Sequence, residues 1–120
     1  GCYKIKNKEV VFPLTEVVTT NEFFDYSAKY EGKVDEITPA RISEDMTGQI
    51  QRLTRMIYDL VGAKGIIRAD FISDDMPYLL EVNTTPGMTQ TSFIPQQVAA
   101  AGLDITEVLS EIIENEFNEN

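Results

Sequence analysis

Histidine and tryptophan are missing from the 120 residues of this chain, and cysteine occurs once. Without an imidazole there is no Ser-His-Asp or Cys-His dyad, no His-ligated zinc, and no base poised near neutral pH. A lone Cys2 excludes an internal disulfide and a Cys-rich metal site, in keeping with a reducing compartment. Basic residues are scarce as well: 10 Lys and Arg stand against 20 Asp and Glu, a net charge of −10. That balance argues against a nucleic-acid backbone as partner, because such binders cluster Lys and Arg. No apolar run nears the ~18 residues of a membrane helix, and no secretory leader is visible. The first residue is Gly1 rather than Met and opens what reads as a strand, so a piece of a larger cytoplasmic protein is expected.

What is present suits one folded domain. The chain is 42% hydrophobic and 25% charged, enough for a single core that buries roughly two-thirds of the unfolded surface. Six acids and no base fall in residues 104–120, where Ile105, Val108, Leu109, Ile112, Ile113 and Phe117 repeat at helical spacing. This predicts a C-terminal helix capped by Asp104, docked through that stripe, with its acids on the wet face. A second helix is predicted over 43–61. Ser43 would cap it, Glu44 and Asp45 suit its positive end, and Gly62 suits a left-handed stop. Its buried stripe would be Met46, Ile50, Leu53, Ile57, Leu60 and Val61, with Met46 and Met56 as core or filler.

Two hairpins are predicted. Gly1–Ile5 and Val10–Phe12 flank the polar turn 6–9, and residues 65–73 and 78–84 flank 74–77. Between the hairpins, residues 19–38 are polar with isolated aromatics and no periodicity, which is either a functional loop or regular structure that the pattern fails to reveal. The architecture expected is α+β, a mainly antiparallel sheet with helices packed on one side.

The second hairpin carries the chemistry. Side chains alternate along a strand, so Arg68 and Asp70 share a face, as do Glu81 and Asn83. A four-residue connection pairs Ser73 with Tyr78 and sets Asp70 opposite Glu81 and Arg68 opposite Asn83. Two opposed carboxylates repel unless one is protonated, Arg68 neutralises the pair, or a cation sits between them. Hard oxygen ligands with an Asn amide beside them suit Mg²⁺ or Mn²⁺, and an Arg-centred salt-bridge cluster is the plain alternative. The strand then runs into Thr84-Thr85-Pro86-Gly87-Met88-Thr89, a hydroxyl-rich turn in which Gly87 permits close backbone approach to a ligand.

These residues carry a resemblance. Arg68-Ala69-Asp70-Phe71, then Leu80-Glu81-Val82-Asn83-Thr84-Thr85-Pro86-Gly87-Met88-Thr89, then Ser92, resembles the C-terminal signature of the D-alanine–D-alanine ligase family of ATP-grasp carboxylate–amine ligases. Phe24-Asp25-Tyr26-Ser27-Ala28-Lys29-Tyr30 is similar to the family's mobile omega loop, and the segment from Pro95 to Leu103 is similar as well. The resemblance implies the large C-terminal ATP-grasp subdomain over residues 1–120, a mobile loop at 19–38, and an N-terminal domain and small ATP-grasp subdomain outside this chain. It implies that Asp70, Glu81 and Asn83 hold two Mg²⁺ (or Mn²⁺) ions against ATP. Arg68 and the Gly87 amide would stabilise the phosphoryl group and the tetrahedral intermediate. Ser92 and the Phe93 backbone would bind the carboxylate of the second D-alanine. Lys29 would contact the γ-phosphate, Tyr30 would close the loop, and Phe23 and Leu80 would border the adenine. The parent would be a homodimeric ligase of peptidoglycan synthesis, and the piece alone inactive. D-alanyl-D-lactate synthesis, another ATP-grasp ligation and a non-enzymatic acidic binding module are the alternatives.

Overall fold

Cys2-Tyr3 and Ile66-Ile67 are consecutive buried pairs, the pattern of strands covered on both faces. The computed structural model describes residues 1–6, 8–19, 34–73, 76–89 and 91–118. Its elements are β1 (Cys2–Ile5), β2 (Lys8–Val11), β3 (Glu16–Thr19), β4 (Val34–Ile37), α1 (Glu44–Leu60), β5 (Ile66–Ser73), β6 (Pro77–Asn83), α2 (Phe93–Ala100) and α3 (Ile105–Asn118). One sheet runs β2-β1-β5-β6 and a second pairs β3 with β4; every pairing is antiparallel. The chain is therefore α+β, with a mainly antiparallel sheet and packed helices.

The two buried pairs send their side chains into two cores. Tyr3 and Ile66 join Phe12, Ile94, Val98 and Val108, so α2 and α3 cover one face. Cys2 and Ile67 join Tyr58, flanked by Val11, Ile57 and Val82, so α1 covers the other. The expectation put the helices on one side; alternation along β1 and β5 distributes them over both. Cys2 is fully buried, and burial pushes its thiol up to about 11. Its neutral thiol fills the core beside Tyr58 and Ile67.

The first hairpin is tighter than expected, because Lys8 and Glu9 belong to β2 and pair with Ile5 and Lys4. Helix α1 starts as anticipated: Ser43 Oγ accepts from the Met46 N–H at 3.1 Å, with Glu44 and Asp45 in the first turn. At its end Gly62 takes φ +63°, its N–H bonds Asp59 O at 3.1 Å, and the Ala63 N–H bonds Tyr58 O at 3.0 Å. Those two bonds satisfy carbonyls that the helix leaves open. Its buried residues are Ile50, Thr54 and Tyr58, with Ile57 packed beside them and Met46 and Leu53 half-buried, so the predicted stripe holds as far as Ile57. Leu60 is 81% exposed and Val61 is exposed as well.

Helix α3 is capped by Asp104, whose Oδ1 accepts from the Thr106 N–H at 2.8 Å. It docks through Ile105, Val108 and Ile112, while Leu109, Ile113 and Phe117 are exposed. Two of its acids are not simply solvated: Glu111 pairs with Lys8 at 3.0 Å and Glu116 with Lys64 at 3.7 Å.

Part of the stretch predicted as a loop is sheet. β3 and β4 pair from Glu16↔Ile37 to Thr19↔Val34. Gln96 on α2 donates to Glu36 Oε1 at 2.9 Å, and Gln97 donates to Thr15 Oγ1 at 3.0 Å, which ties this ribbon to α2. Residues 20–33 lie outside the described residues, and with them Phe23, Lys29 and Tyr30.

Candidate functional site

The site is built where β5 and β6 leave the core. Arg68 stands opposite Asn83 and Asp70 opposite Glu81, the register read from the sequence. Beyond that point the register differs. Phe71 pairs with Leu79 and Ser73 with Pro77, not Tyr78, because a bulge between Asp70 and Phe71 leaves Leu80 without a partner. Leu80 is 62% exposed there.

Of the three ways to relieve the opposed carboxylates, the structure shows the guanidinium. Arg68 Nε donates to Asp70 Oδ1 at 2.9 Å and Nη2 donates to Oδ2 at 3.1 Å. This fork-on-carboxylate geometry is the strong form of the pair. It arises because residues i and i+2 of a strand share a face. Only 19% of the Arg68 side chain and 30% of that of Asp70 are exposed, so solvent screens the pair weakly. Glu81 is exposed across the strand. Asn83 Oδ1 accepts from the Thr85 N–H at 2.9 Å, which starts the turn out of β6. Among the described residues no three His, Cys, Asp or Glu side chains gather in a metal-binding group.

The loop after β6 is held by hydroxyls. Thr89 N–H donates to Ser92 Oγ at 3.1 Å, the Thr89 and Ser92 hydroxyls share a hydrogen at 2.8 Å, and the Ser92 N–H bonds Thr89 O at 2.9 Å. Ser92 is the residue before α2, yet its hydroxyl caps no helix N–H, because the loop claims it. Gly87 packs against this knot: a Cβ there would sit 2.9 Å from Ser92 Oγ. Its glycine is required by that close approach, while its φ lies outside the left-handed region.

One contact had no signal in the sequence. The Phe93 ring lies beneath the Arg68 guanidinium, Cζ to centroid 5.1 Å. The start of α2 thus places Ser92 on the loop and Phe93 on the sheet. Arg68, Asp70, Asn83, Glu81, Gly87, Ser92 and Phe93 fall in one region through these bonds and pairings, whereas Leu80 belongs to the exposed bulge. The hydroxyl–hydroxyl bond of Thr89 and Ser92 was findable from their i, i+3 spacing in a turn.

The sequence matches the family described as D-ala D-ala ligase C-terminus over residues 2–114. It is similar to the D-alanine–D-alanine ligase of Bacteroides fragilis, 69% identical over 119 residues, which are 98% of this chain and 37% of that protein. The D-alanine–D-alanine ligase of Parabacteroides distasonis is also 69% identical, over 98% of this chain and 36% of that protein. The chain thus spans a little over a third of the length of these relatives. The crystal structure of D-alanine–D-alanine ligase from Bacillus anthracis matches with a TM-score of 0.74 at 30% identity, covering 98% of this chain and 39% of that one. Its complex with ATP matches with the same TM-score and identity, over 38% of that chain.

Proposed function

The chain belongs to the D-ala D-ala ligase C-terminus family, and from that membership we propose that it is the large ATP-grasp subdomain of an ATP-dependent D-alanine–D-alanine ligase. The observation that carries this reading is the cross-strand set Arg68–Asn83 and Asp70–Glu81, in the register read from the sequence, beside the Gly87–Ser92 loop.

In this reading ATP transfers its γ-phosphoryl group to the carboxylate of one D-alanine, forming an acyl–oxygen–phosphorus link and releasing ADP. The amine of the second D-alanine attacks the acyl carbon, and phosphate leaves. The substrate brings its own nucleophile, so the reaction needs no Ser, Cys or His nucleophile from the enzyme, and catalysis rests on positioned charge. Arg68 directs the donors that Asp70 leaves over toward the transferring phosphoryl group and the tetrahedral oxyanion. The Gly87 amide donates to the same oxyanion. Ser92 and the first N–H groups of α2 receive the carboxylate of the second D-alanine, as a helix start favours.

Asp70, Glu81 and Asn83 fit a divalent cation by donor chemistry: all are hard oxygen ligands on facing strands, and Asp70 already attracts a cationic group. We assign the two Mg²⁺ or Mn²⁺ ions to them; bound there, the ions supply positive charge against the ATP phosphates. Lys29, Tyr30, Phe23 and Leu80 complete the nucleotide side in this reading, with 19–38 as its covering loop. The parent, whose remaining length includes the rest of the nucleotide clamp and the first-substrate site, acts in the cytoplasm as a homodimer in this reading. No helix among the described residues is long and apolar enough to cross a membrane.

An acidic binding module is less well supported, because Glu111 and Glu116 are engaged by Lys8 and Lys64. The test is coupled ADP release with ATP, Mg²⁺ and D-alanine. The parent protein should release ADP in a D-alanine-dependent way and make dipeptide; the 120-residue chain alone should not. Turnover by the isolated chain would overturn the division of labour. A parent that gives depsipeptide from D-lactate in preference to dipeptide would overturn the substrate.

A further inference from the structure

We infer that Phe93 is a positioning residue for Arg68, its ring face fixing the tilt of the guanidinium; this rests on the role given to Arg68 above. Arg68 Cζ lies 5.1 Å from the ring centroid, within the ~6 Å over which the negative face of an aromatic ring attracts a cation. Nε and Nη2 are committed to the two oxygens of Asp70 at 2.9 and 3.1 Å. Those two bonds fix the guanidinium within its plane. They leave a hinge motion about the line through the two oxygens, and the ring beneath the plane opposes it. The donors not used on Asp70 then keep one direction. Because Phe93 is the first residue of α2 and follows Ser92 directly, the same helix start holds both the cationic group and the hydroxyl proposed for the acceptor carboxylate.

The test uses three variants of the parent ligase. Phe93→Leu keeps apolar bulk and removes the ring face, and kcat is expected to fall about 3- to 30-fold. The KM values for ATP and D-alanine should be nearly unchanged, as expected when a group acting in the transition state is disturbed. Phe93→Tyr, which keeps the ring face, should recover most of the kcat lost in Phe93→Leu, and Phe93→Leu should cost little further in an Arg68→Lys background. A structural role alone would lower the melting temperature of Phe93→Leu and spare its kcat; that result overturns the inference, as does a Phe93→Tyr variant as slow as Phe93→Leu. The contact is read separately by NMR of the 120-residue chain. The Arg68 Nε–H proton should be shifted upfield by the ring in wild type and Phe93→Tyr and return toward its ordinary position in Phe93→Leu. An unshifted wild-type resonance overturns the inference. Absence of D-alanine-dependent ADP release by the wild-type parent would instead overturn the ligase reading, and the resonance would still decide whether Phe93 holds Arg68.

Discussion

Gly87→Ala separates the two reasons a loop keeps a glycine. Gly87 is not in the left-handed region, so alanine meets no backbone strain there. The obstacle is Ser92 Oγ, 2.9 Å from the new Cβ. To make room Ser92 must change rotamer and give up the Thr89 N–H at 3.1 Å and the Thr89 hydroxyl at 2.8 Å. Two such bonds are worth about 1–3 kcal/mol together. Stiffening of the unfolded chain returns about 0.4–1 kcal/mol, so Gly87→Ala should destabilise by about 1 kcal/mol. In a Ser92→Ala background the nearest atom is the Ser92 Cβ at 3.5 Å, an ordinary contact. There the same substitution should be neutral, or stabilising by up to about 1 kcal/mol. The coupling energy is therefore expected at about 1–3 kcal/mol. Urea unfolding of the four chains, followed by circular dichroism, measures it. Equal effects of Gly87→Ala in the two backgrounds would refute the reasoning, because the hydroxyl would not be what excludes the methyl group.

Ser43→Ala removes the acceptor for the Met46 N–H and should cost about 1 kcal/mol, with Ser43→Gly costing only a few tenths; indistinguishable melting temperatures for all three chains would sink the cap assignment.

The parts of the site that follow from strand alternation were legible. Arg68 and Asp70 on one face, and their opposition to Asn83 and Glu81, need only a period of two and an approximate turn. The bulge was hidden because Tyr78-Leu79-Leu80 is an apolar run with no alternation to fix its parity. The helices were legible in their caps and over-read in their stripes. Apolar spacing shows which residues could face a core, but Leu60, Val61, Ile113 and Phe117 are exposed. The second helix layer was available in principle from Cys2-Tyr3 and Ile66-Ile67, since a strand with one wet face does not bury consecutive residues. β4 was concealed by its two acids, Asp35 and Glu36, and by its distance along the chain from β3. The Phe93–Arg68 contact joins a strand to a helix start 25 residues on, and neither periodicity nor spacing records such a meeting.

The bulge at Leu80 has a consequence for how these chains behave toward one another. In the described sheet β6 is an edge strand, and it shows Tyr78, Leu79 and Leu80 to solvent. A straight apolar edge is a template on which a second chain can hydrogen-bond and from which aggregates grow. An unpaired residue in mid-strand breaks the spacing of the edge N–H and C=O groups and sharpens the local twist. An incoming strand then finds no continuous row to match. The irregularity that frees Leu80 from the ladder therefore also guards solubility along the most apolar rim of the sheet.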